Sequence, residues 1–207
     1  MATKRRVLLA AVAVLALTVF TGCTFRVGDP EEPDPVFGQG SSVRWDLTRP
    51  IEAKVVGLPA DEMEILEVPD DATVTFTLPT DAWSGRIEDM TVTTRHGYLD
   101  TVDIFWTEAD GQAAADRMVA DAEVLGVDAA RVAGWAGIAQ RAETAGTHET
   151  TEKANYNGSN GRVSTAMKPS MRTSKGKGTP VRLFYRFYLR NVVEKTEPGV
   201  PRTSPTR

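Results

Sequence analysis

The residue types that carry out most protein chemistry are scarce in this chain. Its 207 residues include one cysteine, Cys23, and two histidines, His96 and His148. His96 precedes a glycine in a predicted turn, and His148 lies in a polar stretch. A transition-metal site would therefore depend on carboxylates to complete its ligand set. We expect neither a metal site nor any other cofactor.

Carboxylates are abundant, and two pairs are close enough in sequence to be considered for acid–base chemistry. These are Glu88 with Asp89, and Asp100 with Asp103. Cleavage of a glycoside by two carboxylates needs them about 5 to 10 Å apart across a cleft. A sequence pattern does not report such a cleft. A hydrolase that uses carboxylates is therefore one function that the sequence leaves open.

Two short motifs resemble catalytic or nucleotide-binding loops only in part. Ser84 lies in DAWSGR, which lacks the Gly-x-Ser-x-Gly elbow of serine hydrolases and is predicted to be a turn. The GSNG at 158–161 leads into a predicted strand and not into a helix, so it is predicted to be a loop without a phosphate-binding role. A Ser-His-Asp arrangement stays open, because its members meet only in space.

The stretch VRLFYRFYLR at 181–190 alternates so regularly that it predicts a strand with two different faces. One face is apolar and would point into the core: Val181, Leu183, Tyr185, Phe187 and Leu189. The other face holds the candidate binding residues: Arg182, Phe184, Arg186, Tyr188 and Arg190. Four further cations near this strand would extend the basic face: Lys168, Arg172, Lys175 and Lys177.

This arginine–aromatic face has two interpretations. It could bind phosphates, carboxylates or ring faces of an anionic partner through charge and cation–π contacts. Alternatively, its arginines pair with acidic residues of neighbouring strands and cover the outside of a sheet. The charge distribution along the chain is compatible with both interpretations, because an acidic part precedes a basic part. Residues 24–150 contain 9 Lys+Arg and 25 Asp+Glu, whereas residues 151–207 contain 12 and 3.

The N-terminal segment has the features of an export signal. Three basic residues, Lys4 to Arg6, precede an unbroken apolar run from Val7 to Phe20. That run is shorter than the roughly 20 residues that a helix needs to span a bilayer. A basic start, a short apolar core and small residues behind it are typical of a secretory signal.

The end of this segment, TVFTGC at 18–23, resembles the lipobox of bacterial lipoproteins. The resemblance covers residues 1–23 and implies that the chain is cut before Cys23, whose thiol then carries diacylglycerol. Gly22 fits the family pattern, whereas Phe20 stands where the family prefers leucine. Two acyl chains give firm membrane attachment, which a single chain does not. An ordinary cleaved signal peptide and an uncleaved anchor helix are the alternatives.

The resemblance implies an exported protein that is lipid-anchored through Cys23 to the outer face of the bacterial cell membrane. The composition, with 17 arginines and 7 lysines, suggests a GC-rich bacterium such as an actinobacterium. Anionic lipid, a cell-wall polymer or an envelope protein are then the partners we expect, and nucleic acid is not. The preferred function is a non-catalytic ligand- or partner-binding domain at the cell envelope. The alternatives are a cell-envelope hydrolase and a structural or assembly lipoprotein docked on a membrane complex.

The chain divides into four predicted parts. Residues 1–22 are a signal peptide, and 23–42 are the lipidated cysteine with a flexible tether, too polar and proline-rich to bury anything. Residues 43–193 form one domain of ordinary size. Residues 194–207 form a disordered tail with three prolines.

The domain is predicted to be α+β, a mostly antiparallel sheet with two helices packed on one face. The predicted strands are 51–55, 63–68, 72–78, 90–94, 99–106, 162–167 and 181–190. Gly97 supplies a hairpin turn between the fourth and fifth of these. Helical spacing predicts one helix over 110–125, started by Thr107 with Asp110 and ended by Gly126. Asp128 caps a second helix that extends to about Ala142, and a polar loop over 143–161 follows.

Overall fold

The computed structural model of the chain describes residues 36–37, 40–145, 154–171 and 179–190, which belong to one compact unit. The strands within these ranges are β1 (Ser42–Asp46), β2 (Met63–Leu66), β3 (Thr73–Thr77), β4 (Ala82–Arg86), β5 (Asp89–Arg95), β6 (Tyr98–Glu108), β7 (Tyr156–Asn160), β8 (Val163–Met171) and β9 (Val181–Leu189). The helices are α1 (Gly111–Val124), α2 (Ala129–Ala145) and a 3₁₀ helix (Ala53–Val56). The fold is α+β with mostly antiparallel sheet, which confirms the predicted class.

The larger sheet has six strands in the order β2-β5-β6-β9-β8-β7, and every neighbouring pair is antiparallel. β9 lies between β6 and β8, so both of its edges are paired. Its predicted apolar face, from Val181 to Leu189, is buried as expected. We call the side of the sheet that carries this face the inner face and the opposite side the outer face.

The smaller sheet has three strands in the order β1-β3-β4, with β1 parallel to β3 and β3 antiparallel to β4. It packs on the inner face of the larger sheet through aromatic side chains. The Phe76 ring lies 4.8 Å from that of Phe187, and the Trp83 ring 5.4 Å from it. The alternation in β3 explains this contact, since Val74 and Phe76 are buried while Thr73 and Thr77 are exposed.

Helix α1 packs against the same inner face, and α2 packs on α1. The Asp110 side chain caps α1 by accepting a bond from the Ala113 amide, 2.8 Å away. Asp128 caps α2 through the amides of Ala130 and Arg131, as the sequence predicts. Thr107, however, lies inside β6 and takes no part in the cap of α1.

Gly126 and Gly158 let the end of α1 approach β7 closely. A Cβ atom on Gly126 would lie 2.2 Å from the Ser159 carbonyl oxygen, and one on Gly158 would lie 2.5 Å from the Leu125 carbonyl oxygen. Gly126 also has a positive φ of 66°. Beside this contact, the buried Asn160 amide donates to the Val124 carbonyl at 2.8 Å and to the Thr80 hydroxyl at 2.6 Å. These bonds link β7 to α1 and to the turn after β3.

Three local predictions were wrong and one strand was missed, each where a short or polar segment is held by its neighbours. The predicted strand at 51–55 is mostly the 3₁₀ helix. DAWSGR, predicted as a turn, contains β4, which pairs with β3. β7, including most of GSNG, lies in what we predicted as a polar loop. β1 was not predicted at all, because only its pairing with β3 identifies five residues with two buried side chains as a strand.

The folded part also begins earlier than predicted. Phe37 was assigned to the tether, yet its side chain is only 4% exposed and belongs to the core. Val36 packs against the same core.

Candidate functional site

The strand register aligns the side chains of the outer face in rows that cross the sheet. The first row is Met63, Thr93, Thr101, Tyr188 and Ser164. The second row is Ile65, Thr91, Asp103, Arg186 and Ala166. The third row is Asp89, Phe105, Phe184 and Lys168. Phe184, Arg186 and Tyr188 lie in these rows with acids from β5 and β6, Arg182 shares their face by the alternation of β9, and Arg190 directly follows the strand.

Arg186 is held by a carboxylate of the neighbouring strand. Its Nε lies 2.6 Å from Oδ1 of Asp103 and its Nη2 lies 2.5 Å from Oδ2, which is a two-point ion pair. The hydrogen bond to Asp103 raises the pKa of Arg186 above its ordinary value. The guanidinium is therefore fixed in its charged form, with its best donors already used.

Arg182 is also paired, through a single contact, whereas Arg190 is not. Arg182 forms an ion pair with Asp89, and its guanidinium lies 4.8 Å from the ring centre of Phe105. The Arg190 side chain donates to the Ser164 hydroxyl at 3.3 Å, and its backbone amide donates to the Arg162 carbonyl at 3.1 Å. Arg182 and Arg186 are thus paired with carboxylates of other strands, whereas Arg190 forms no ion pair with a described carboxylate.

The aromatic rings of this face are also engaged. Phe105 and Phe184 stack with ring centres 4.6 Å apart. Lys168 lies 5.4 Å from the ring centre of Phe184, and Arg186 lies over both Phe184 and Tyr188. Lys168 and Arg190 are about 20 Å apart along the strands, because Lys168 is opposite Phe184, six residues before Arg190. The two side chains are therefore too far apart to bind one small anion together.

A second polar cluster lies on the inner face, and the sequence did not reveal it. Asp121 of α1 accepts bonds from Arg117 Nε at 2.8 Å and from the Tyr185 hydroxyl at 2.9 Å. Arg117 also donates to the Ser84 carbonyl at 2.7 Å and lies 5.6 Å from the ring centres of Trp83 and Trp106. Helix α1 is thereby bonded to both sheets.

Burial controls the protonation of this cluster. Loss of hydration raises the pKa of Asp121, although the Arg117 charge and the hydrogen bonds oppose the shift. Burial, and then the nearby Asp121 charge, raise the pKa of Tyr185 well above its usual value, so the phenol stays neutral and donates. The Arg117–Asp121 spacing of four residues is a known helical ion-pair signal. Nothing in the sequence indicates that Tyr185 joins it.

The carboxylates considered for catalysis all have local hydrogen-bonding partners. Glu88 accepts from Arg86 at 3.2 Å and from the Thr107 hydroxyl at 2.8 Å. Asp89 and Asp103 bind arginines of β9, and Asp100 accepts from Thr101 at 3.3 Å. A shallow depression of about 400 Å³ contains Glu88; it is lined by Val68, Pro69, Asp70, Asp71, Arg86, Ile87 and Glu88.

The remaining candidate residues are dispersed. His96 is exposed in the hairpin turn, where its amide donates to Asp61. Trp83, the tryptophan placed in a predicted turn, is buried in the core. No group of three metal-ligating side chains occurs among the described residues. Cys23, His148, Arg172, Lys175 and Lys177 lie outside the described residues.

Comparison with known proteins identifies no relative: no family model, no curated protein and no solved structure matches the chain. The described helices also include none that is both long enough and apolar enough to cross a membrane. Function is therefore inferred from the residues, contacts and charges of this chain alone.

Proposed function

We propose that the protein is an exported bacterial lipoprotein, anchored by lipid on Cys23 at the outer face of the cell membrane. Its α+β domain binds a ligand or partner at the cell envelope without catalysis. The observation that carries this proposal is the leader, in which TVFTGC follows a basic start and a short apolar run. Cys23 is the only cysteine, so it has no disulfide partner within the chain.

The contacts of the outer face favour a protein partner over a small anion. An anion would have to displace Asp103 from a two-point ion pair with Arg186, and Asp89 from Arg182. Such displacement leaves a carboxylate unpaired and costs part of the binding energy. Tyr188, which is 43% exposed, and Arg190 remain available to a partner surface without that cost. Anionic lipid and acidic cell-wall polymer are the less favoured partners.

The anchor is tested by changing its acceptor. Cys23→Ala should move the protein from the membrane fraction to the soluble exported fraction and abolish incorporation of labelled fatty acid, because no thiol remains to be alkylated. Thr24→Ala, one residue further on, is the matched control and should behave as wild type. A Cys23→Ala protein that stays in the membrane would show that the anchor is not a lipid on this residue.

The depression beside Glu88 is the feature that favours a hydrolase instead. It brings Asp70, Asp71 and Glu88 to one surface, although Glu88 is tied to Arg86 and Thr107. We expect the purified protein to release no reducing ends from cell-envelope polysaccharide. Release that disappears in Glu88→Gln and persists in Glu108→Gln would replace the binding function with this alternative.

A further inference from the structure

Among the described strands, β1, β4, β2 and β7 lie at the edges of the two sheets, and these edges differ in how they are protected. The edge of β4 is covered by Arg117, which binds the Ser84 carbonyl. The edge of β7 is covered by the end of α1, where Gly126 meets Ser159. The side chains of β1 alternate between core residues and exposed polar ones, such as Arg44. Within the described residues β2 pairs with β5 alone, and it is the edge strand that exposes large apolar side chains.

Two residues of β2, Met63 and Ile65, direct their backbone groups away from β5, the neighbour of β2 among the described strands. The Thr94 amide donates to the Glu62 carbonyl at 2.8 Å, which makes Glu62 a residue whose backbone points toward β5. Backbone direction alternates along an antiparallel strand. The N–H and C=O groups of Met63 and Ile65 therefore point away from the sheet, where an added strand would bind them.

The side chains of the same two residues add an apolar surface. Met63 is 68% exposed and Ile65 is 77% exposed, both on the outer face. Proteins usually protect a free edge with charge, proline or a covering element, because an apolar edge attracts other strands. Here an open backbone and two exposed apolar side chains occur on one short strand.

The charge around β2 identifies the occupant. Residues 57–71 contain six acids and no lysine or arginine. Edge-to-edge pairing of two copies would bring these acids together, which disfavours a dimer through β2. A strand with basic residues meets the opposite charge instead.

We propose that β2 is a docking edge for an extended segment of a partner protein, with apolar side chains at alternate positions and lysine or arginine between them. The segment adds a seventh strand to the larger sheet. This inference rests on the proposed function only in that the domain binds a partner. It does not depend on lipidation of Cys23, so the fractionation experiment and the one below fail independently.

The test uses the full chain in non-ionic detergent and a fluorescent heptapeptide in which lysine alternates with valine or isoleucine. Two control peptides have the same residues with all lysines first, or glutamate in place of lysine. Binding is followed by fluorescence anisotropy. We expect the alternating basic peptide to bind at least tenfold more tightly than either control, and more weakly as salt rises.

Two variants place the peptide on β2. Ile65→Pro removes the N–H that faces the free edge, a position where a strand tolerates proline, and should weaken binding at least tenfold. Ile65→Lys keeps the N–H but repels the basic peptide, and should weaken binding likewise. Val119→Thr, at an exposed apolar position of α1, is the control and should bind as wild type. Thermal unfolding confirms that each variant is folded.

Three results would overturn the proposal. The alternating peptide could fail to bind better than both controls. Binding could survive in Ile65→Pro and Ile65→Lys, which would place the peptide elsewhere. Sedimentation could reveal a dimer that Ile65→Lys dissociates, in which case β2 pairs with a second copy and not with a basic partner.

Discussion

Two arginine–aspartate pairs on opposite faces of the larger sheet use the same chemistry for different purposes. The outer pair, Arg186–Asp103, joins β9 to its neighbour β6, strands that already share backbone hydrogen bonds. The inner pair, Arg117–Asp121, also binds Tyr185 of β9 and the Ser84 carbonyl of β4. The outer pair therefore acts within one layer, whereas the inner pair holds three elements from different layers together.

The largest expected loss of stability comes from removing the inner carboxylate, that of Asp121. Asp121→Ala leaves the Arg117 charge and the Tyr185 hydroxyl without their acceptor in a buried setting, and should lower the free energy of unfolding by about 3–5 kcal/mol. Urea unfolding followed by tryptophan fluorescence measures this, since Trp83 and Trp106 lie beside the cluster. Asp116→Ala, at an exposed position of the same helix, is the control. Equal stability of the two variants would remove the distinction between the pairs.

Removing the outer carboxylate should cost less. Asp103→Ala leaves Arg186, whose side chain is 36% exposed, able to bind water, and we expect a loss of about 1.5–3 kcal/mol. The same urea titration applies, with Asp100→Ala as the matched control on β6. A loss as large as that of Asp121→Ala would mean that the outer pair is equally important for holding the fold.

The hydroxyl of Tyr185 affects both the stability of the inner pair and the pH dependence of that stability. Tyr185→Phe removes one hydrogen bond and should cost about 1 kcal/mol near neutral pH. Because the pKa of Asp121 is raised in the folded state, the folded protein binds more protons than the unfolded chain just above pH 3.8. The titration of Asp121 therefore lowers stability as pH rises through that window.

The hydrogen bond from Tyr185 lowers the pKa of Asp121 and so opposes the effect of burial. Tyr185→Phe should therefore extend the loss of stability with rising pH to higher pH. Asp121→Asn should abolish this pH dependence. Unfolding free energies from pH 3.5 to 7 measure both effects. A wild-type and an Asp121→Asn profile with the same slope in this range would contradict the role given to burial.

The smallest effect is expected at the rim of the outer face. Arg182 and Asp89 are both more than half exposed, so Arg182→Gln should change stability by no more than about 0.5 kcal/mol. Thermal unfolding at low and high salt measures this, with Arg95→Gln as the control. A loss near that of Asp103→Ala would show that exposure does not separate these pairs.

Elements with a strong pattern of their own were predictable from the sequence. The alternation of β3 and β9, the Gly97 hairpin and the Asp128 cap are each encoded within a few residues. β4 and β7 were missed because their sequences, AWSGR and YNGSN, are polar and contain glycine, and they become strands only beside β3 and β8. Each is held as a strand by pairing with the strand next to it in the chain, β3 or β8, which its own residue pattern does not reveal.

The same limit applies to the candidate sites. The alternation of β9 predicted which residues share the outer face, but not that Asp103, 83 residues before Arg186, neutralises its centre. The inner cluster depends on a contact between residues 64 positions apart, Asp121 and Tyr185. The exposed edge at Met63 and Ile65 was also hidden, since a strand's place in the sheet order is a property of the whole fold.

The parallel pairing of β1 with β3 determines how the domain would respond to mechanical force. Tension applied through a lipid on Cys23 would reach Val36 and Phe37 first and then β1, which pairs with β3 alone among the described strands. Phe37 and Trp45 are both buried, so pulling β1 away would expose both side chains to water. Detachment of β1 would pull Trp45 away from the Phe76 ring on which it stacks. We therefore expect β1 to be the first strand that separates from the domain under tension.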